Sequence, residues 1–310
     1  MQNIVGPNFL VIGAAKSGTT SLYQYLRQHP QVFLAPGKDT SYFGGREGRE
    51  HTGMSWQEYL SLFQGSEGYR AVGEASVAYL YSEAAPRRIL EALGAQVKIV
   101  VLLRNPVDMA YSLWGQNVRD GGESLSFRDA LQAETARMSD AAFSRSLHGA
   151  WKYNYAYLDR AKYAIQLQRY FEVFGAANIH VALYEQFFAD PRQHFQNLLE
   201  FLGLDPLPDL SSDRIYNAAG TVYWKALMRF YTVQSPMKSW LLGWFPRALR
   251  KRLYMALYDL NSKTEPLPAL DVNVRQQLMS ELKDDMDTVE RLTALPIKRF
   301  WAVSAENRLA

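Results

Sequence analysis

Cysteine is absent from the 310 residues. That excludes disulfides, thiolate metal sites and cysteine nucleophiles, and leaves any chemistry to oxygen, nitrogen or a borrowed cofactor. Charge of one sign is also lacking, with 34 Lys and Arg against 31 Asp and Glu, a formal +3. The excess is too small for a generic nucleic-acid binder, although a local basic pocket for a small anion fits within it. Long apolar runs are missing: no stretch approaches the ~18 uninterrupted apolar residues of a membrane span. Met1-Gln-Asn-Ile-Val-Gly-Pro has no basic region ahead of an apolar one, so the expectation is a soluble, untargeted, cytoplasmic protein. Histidine is sparse, five in all, and no pair has the H-x-x-x-H spacing of a metal site, so no metal is expected. Repeats and low-complexity tracts are absent as well. What is there is ordinary globular composition, 48% hydrophobic and 13% aromatic, with no shift that marks a boundary. A single domain over residues 1–310 is expected, its C-terminal part, from about residue 222, helical.

Three short apolar runs read as buried parallel strands: Asn8 to Gly13, Lys98 to Arg104 and Ile179 to Tyr184. Helical patterns follow each of them. Ser21 to His29, capped by Thr19 and Thr20 and stopped by Pro30, follows the first, and Val107 to Val118 follows the second. Ala161 to Phe174 precedes the third, and Pro191 to Leu202 follows it with Gly203 as its stop. The alternation predicts an α/β fold, a central parallel sheet flanked by helices. Ala35 to Ser55 and Leu204 to Thr221 read as loop-rich.

Gly13-Ala-Ala-Lys-Ser-Gly-Thr-Thr20 joins a strand to a helix, where backbone N–H groups converge on the positive end of a helix dipole. An anion belongs there. The glycine spacing is that of a nucleotide P-loop, but Thr19 stands where the lysine should follow the second glycine, and a lysine appears inside the loop at Lys16. A magnesium-dependent nucleoside triphosphatase would usually end a neighbouring strand in aspartate. Here that strand ends in Arg104, a bidentate anion ligand, with Ser112 two helical turns further on the same side. The pair reads as a second phosphate site, against the alternative that Arg104 only pairs with Asp108 on the surface.

These segments together resemble the sulfotransferases that use 3′-phosphoadenosine 5′-phosphosulfate, in their glycan-type and bacterial small-molecule branch. The resemblance is carried by Ala15 to Leu22, His29-Pro30, Gly73-Glu-Ala-Ser76, Leu103 to Ser112, Leu158 to Tyr184 with Glu185, and Phe201 to Leu204. Leu267-Pro, Asp271, Leu282, Asp287, Leu292 and Trp301 resemble the family's closing helix. The resemblance implies that the first loop binds the 5′-phosphosulfate and that Arg104 and Ser112 bind the 3′-phosphate. Lys16 would meet the bridging oxygen, and Ser17, Gly18, Thr19 and Thr20 would hold the phosphate.

By the same resemblance Asp39, just before Tyr42-Phe43, stands where the family carries its general base. A loop aspartate in an Asx-turn is the alternative. Glu74 would orient Lys16 or the acceptor, with a structural carboxylate pairing a nearby basic group as the alternative, and Ala75 replaces the lysine that several glycan sulfotransferases carry there. Gly220, Thr221 and Lys225 correspond to a late loop over the 3′-phosphate and adenine. Among histidines, His29 reads as a helix C-cap partner and His180 as core or face filler. Glu74, His51 and His148 remain rival bases, and His194 lies in an exposed-looking helix.

The function implied is metal-free transfer of a sulfuryl group to a hydroxyl or amine, leaving adenosine 3′,5′-bisphosphate. The acceptor would be a small molecule, a glycan or a lipid-like compound. A P-loop small-molecule kinase and a non-catalytic nucleotide-binding module are the alternatives. The aromatic, basic stretch 240–258 reads as packing against the core, or as a surface that touches membrane or a lipid acceptor without inserting.

Overall fold

The computed structural model describes residues 6–44, 53–147, 151–207, 209–210, 221–222, 262–263 and 267–301. The chain divides into two compact units. The first comprises Met1–Met109, Lys162–Asn217 and Met279–Ala310, the second Ala110–Ala161 and Ala218–Leu278.

The first unit is built on five parallel strands, β1 (Phe9–Gly13), β2 (Val32–Leu34), β3 (Ala71–Ala75), β4 (Lys98–Leu103) and β5 (Ile179–Leu183), in the order β2-β3-β1-β4-β5. Strand periodicity sorts the side chains between two faces. Phe9, Val11, Val100 and Leu102 join one cluster with Leu22, Tyr25 and Leu26 of α1 (Thr19–Leu26), Phe187 of α9 (Tyr184–Ala189), and Phe195, Leu198 and Leu199 of α10 (Pro191–Leu202). The alternate residues Leu10, Ile12, Ile99, Val101 and Leu103 are buried just as fully. On their side lie α3 (Ala78–Tyr81), which packs on β1, and α8 (Tyr163–Phe174), which packs on α3, on β5 and on α4 (Ala85–Leu93). Both faces being covered explains why these strands are unbroken apolar runs.

The expected strands and the helices after β4 and β5 are present. Differences gather around α1. It starts at Thr19, with Gly18 as its N-cap in the left-handed conformation and no side-chain cap, and it ends at Leu26 rather than His29. Thr19 and Thr20 are therefore not caps. His29 is buried beyond the helix, Nε2 on the Asp205 carbonyl at 2.9 Å and Nδ1 accepting from Gln31 N–H at 3.1 Å, so it ties α1 to the end of α10. His180 fills a partly buried face of β5 rather than the core: burial lowers its pKa to about 4 and keeps it neutral beside Phe201.

The second unit includes the greater part of α5 (Pro106–Arg119), then α6 (Phe127–Ser139) and α7 (Ala141–Ser146). Within it the buried Glu123 receives Arg137 at 2.6 and 3.0 Å, Tyr157 Oη at 3.0 Å, and two backbone N–H groups. Burial works against that charge, but the arginine and N–H donors outweigh it and hold the carboxyl below its usual range. A short antiparallel pair, β6 (Thr221–Val222) and β7 (Ser262–Lys263), also belongs here. The helices α11 (Val272–Glu281), α12 (Lys283–Thr293) and α13 (Ile297–Trp301) complete the described chain.

Candidate active site

Chain order reverses between β1 and β4, because the chain runs to β2 and β3 on one side of β1 before crossing to β4 and β5 on the other. Ligands of open parallel sheets bind at such points, beyond the C-terminal strand ends. There the loop 13–20 leaves β1. The β1–β4 register shifts between Val11 and Gly13, and Lys16 (φ 59°) and Gly18 (φ 80°) both take left-handed conformations. At Gly18 two demands coincide: a Cβ would lie 2.5 Å from the Phe188 ring and 3.1 Å from that of Tyr184, and φ favours glycine besides. Helix α1 begins uncapped, with no acidic residue in its first turn, so its leading N–H groups suit an anion.

Lys38 reaches across to this helix start and donates to Thr19 Oγ1 and Thr20 Oγ1, each at 3.0 Å. A hydroxyl that accepts from an ammonium turns its own proton elsewhere, which readies both threonines as donors. Burial lowers the Lys38 pKa, and Asp39 beside it works in the opposite direction. Asp39 itself is exposed, left-handed at φ 60°, and held to β3 by its N–H on the Ala75 carbonyl at 2.8 Å. Its Oδ1 accepts from Val77 N–H at 3.1 Å.

Glu74 lies beneath this loop, fully buried. Oε1 accepts from Tyr59 at 2.9 Å and Tyr79 at 2.6 Å, and Oε2 from Thr40 at 2.6 Å and Ser76 at 3.0 Å. Burial pushes the Glu74 pKa up and the four hydroxyls pull it down, burial prevailing. The carboxyl thus anchors Thr40, and Ser76 Oγ receives Ser41 N–H at 3.1 Å, fixing the segment that carries Lys38 and Asp39.

Arg104, at the end of β4, donates through Nη1 to the Lys16 carbonyl at 3.0 Å and lies 4.9 Å above the Tyr184 ring centroid. Its Nε and the hydroxyl of Tyr163 are buried without a hydrogen-bond partner among the described residues. Burial drives the tyrosine's pKa up, and Ser17 is close enough to ease that shift although no partner meets hydrogen-bond geometry. Two idle donors beside the loop fit a polyanion. Glu185 accepts from Asn105 N–H at 2.8 Å and from Trp301 Nε1 at 3.0 Å, while Asn105 Oδ1 caps α5. Ser112 is buried on α5 and falls in the second unit. Thr221 lies in β6 of that unit. Gly220, Lys225, His51, His148 and the stretch 240–258 lie outside the described residues.

The sulfotransferase-domain family model matches residues 6–227. The chain belongs to the sulfotransferase family. A crystal structure of a sulfotransferase from Alicyclobacillus acidocaldarius matches at TM-score 0.66 and 28% identity, over 96% of this chain and 99% of that one. The bifunctional heparan sulfate N-deacetylase/N-sulfotransferase of Drosophila melanogaster is 28% identical over 315 residues, 91% of this chain and 28% of the relative. The membrane-associated sulfotransferase kil1 of Dictyostelium discoideum is 36% identical over 108 residues, 34% of this chain and 22% of the relative. This sulfotransferase therefore spans about a quarter of the length of the curated relatives it matches. No helix among its described residues is long and apolar enough to cross a membrane.

In this sulfotransferase the structure brings together Lys16, Ser17, Gly18, Thr19, Thr20 and Arg104 within the first unit. Sequence reasoning missed Lys38, although it is the residue before Asp39. A lysine next to a candidate base is a readable signal of an anion site, whereas its reach to two threonines is a matter of loop geometry.

Proposed function

We propose that the chain transfers a sulfuryl group from 3′-phosphoadenosine 5′-phosphosulfate to a hydroxyl or amine, in line and without a metal ion. One observation carries the reading: an uncapped helix start has its two threonine hydroxyls held by Lys38 and the Lys16 carbonyl of its loop held by Arg104. Such a cradle supplies fixed donors where negative charge grows on a leaving phosphate. In this reading Ser17 to Thr20 hold the 5′-phosphate and Lys16 meets the bridging oxygen. Arg104 and Ser112 take the 3′-phosphate, with Gly220, Thr221 and Lys225 over the nucleotide. The acceptor oxygen or nitrogen bonds to sulfur as the bridging S–O bond breaks. Its electron pair stays on the phosphate, and the acceptor proton passes to Asp39, whose Oδ2 receives no hydrogen bond among the described residues. Glu74 acts through Thr40 as a positioning residue.

The acceptor class is a small molecule, a glycan or a lipid-like compound. Similarity to enzymes named heparan sulfate N-sulfotransferases supports including amines. The two units together would form the working sulfotransferase domain. A screen of acceptors with labelled donor tests the reading: label should move to an acceptor and be lost in Asp39→Asn. Full turnover in that variant would reassign the base to His51 or His148, because Glu74 is fully buried with both oxygens already hydrogen-bonded.

A further inference from the structure

Arg104 and Lys16 belong to different loops, after β4 and after β1, yet one hydrogen bond joins them through main chain, Arg104 Nη1 to the Lys16 carbonyl at 3.0 Å. The guanidinium is aligned by its 4.9 Å stack on Tyr184. The same ring closes on Gly18, where a Cβ would meet Cδ2 at 3.1 Å. Arg104 and Tyr184 therefore grip the loop at two of its residues. Lys16 is left-handed, a conformation that a residue other than glycine keeps only where its surroundings hold it. Its carbonyl needs a donor, and Arg104 is one.

We propose that Arg104 is a positioning residue for Lys16. By clamping the Lys16 carbonyl it holds the turn that directs the lysine's ammonium, so the leaving-group contact depends on Arg104 even for a nucleotide that has no 3′-phosphate. The proposal rests on the donor assignment above and goes beyond it: a residue assigned there only to bind one phosphate also sets the chemistry at the other. An arginine is suited to both tasks, since its fork offers donors in two directions while one edge stays on the carbonyl.

Calorimetric titration with adenosine 3′,5′-bisphosphate and with adenosine 5′-phosphate tests it in wild type, Arg104→Ala and Arg104→Lys. The clamp predicts that both variants lose about tenfold in affinity for the 5′-phosphate, the scale of one charge-assisted hydrogen bond. Arg104→Lys should keep more of the bisphosphate affinity than Arg104→Ala. Unchanged 5′-phosphate binding beside weakened bisphosphate binding would reduce Arg104 to a 3′-phosphate ligand and overturn the proposal.

Rates give an independent readout. At saturating donor Arg104→Ala should lower kcat about tenfold, but less than about twofold further in a Lys16→Ala background, because residues acting as one unit are not additive. Additive losses would overturn the clamp. If Arg104→Ala does not fold, Arg104→Lys and Tyr184→Leu carry both comparisons. A wild type that binds neither nucleotide would overturn the donor assignment itself, a failure distinguishable because it shows before any substitution is made.

Discussion

In the proposed reaction Lys16 and Lys38 would divide one electrostatic task. Backbone N–H groups and the threonines held by Lys38 would serve the ground-state phosphate, while Lys16 would meet charge that appears only as the bridging bond breaks. Lys16→Ala should therefore lower kcat by ~10²–10³, the cost of losing one preorganised donor, with a smaller loss of affinity for the bisphosphate product. Steady-state rates beside calorimetry check this, and wild-type turnover would remove Lys16 from the reaction. Lys38→Met should instead weaken bisphosphate binding by ~10-fold or more, the lower end of a charged hydrogen bond's worth. Glu74 offers a test by pH. Burial raises its folded pKa, so between the unfolded and folded values the native state holds the extra proton and stability falls as pH rises. Glu74→Gln removes that slope: from pH 4 to 7 the stability difference should move in favour of the variant, measured by denaturant unfolding. Movement the other way would mean that the four hydroxyls outweigh burial. Lys16, Asp39 and Glu74 were readable in the sequence as candidates because each sits in a segment that resembles the family's. Lys38's grip was not, since it depends on a loop that folds across 19 residues to Thr19.

Among the elements, β1, β4 and β5 were legible because strands covered on both faces become unbroken apolar runs. Strand β2 was not, having only Val32 to Leu34, too short for any period to show. Helix α2 (Trp56–Ser61) carried a plain sign that pattern reading passed over: Ser55 and Glu58 form a capping box, Ser55 Oγ receiving Glu58 N–H at 3.2 Å and Glu58 receiving Ser55 N–H at 2.7 Å. The start of α1 was misjudged because a threonine before a helical pattern reads as a cap, while the structure leaves that end bare. Gly73 shows what a motif residue does for its strand. It is registered opposite Phe9 of β1, and the Phe9 ring lies where a Cβ would go. Phe9 is fully buried and cannot swing out to solvent. Gly73→Ala should therefore destabilise the fold by ~1–3 kcal/mol through overpacking. Thermal unfolding checks it, and an unchanged midpoint would show that the ring shifts freely.

At the scale of the whole molecule, the sheet order places the loops after β1 and β4 side by side, and the proposed choice of a sulfuryl donor over a nucleoside triphosphate turns on this neighbourhood. A kinase reading needs a metal held by a carboxylate at the end of β4. That strand instead delivers Arg104 beside Lys16, with a buried Nε that has no hydrogen-bond partner among the described residues. In the proposed reading, cations in these places would take a ligand with two separated phosphates and no metal between them. Adenosine 3′,5′-bisphosphate should accordingly stabilise the full chain in excess EDTA, by ~2.7 kcal/mol at 100 times its dissociation constant, with Mg-ATP giving far less at equal concentration. Stabilisation by the bisphosphate that vanishes on chelation would require a metal ligand among the residues, and equal or greater stabilisation by Mg-ATP would return the loop to triphosphate chemistry. Arg104→Ala should shrink the bisphosphate effect while leaving the unliganded protein folded, because the arginine's partners are one carbonyl and one ring face rather than the sheet's core.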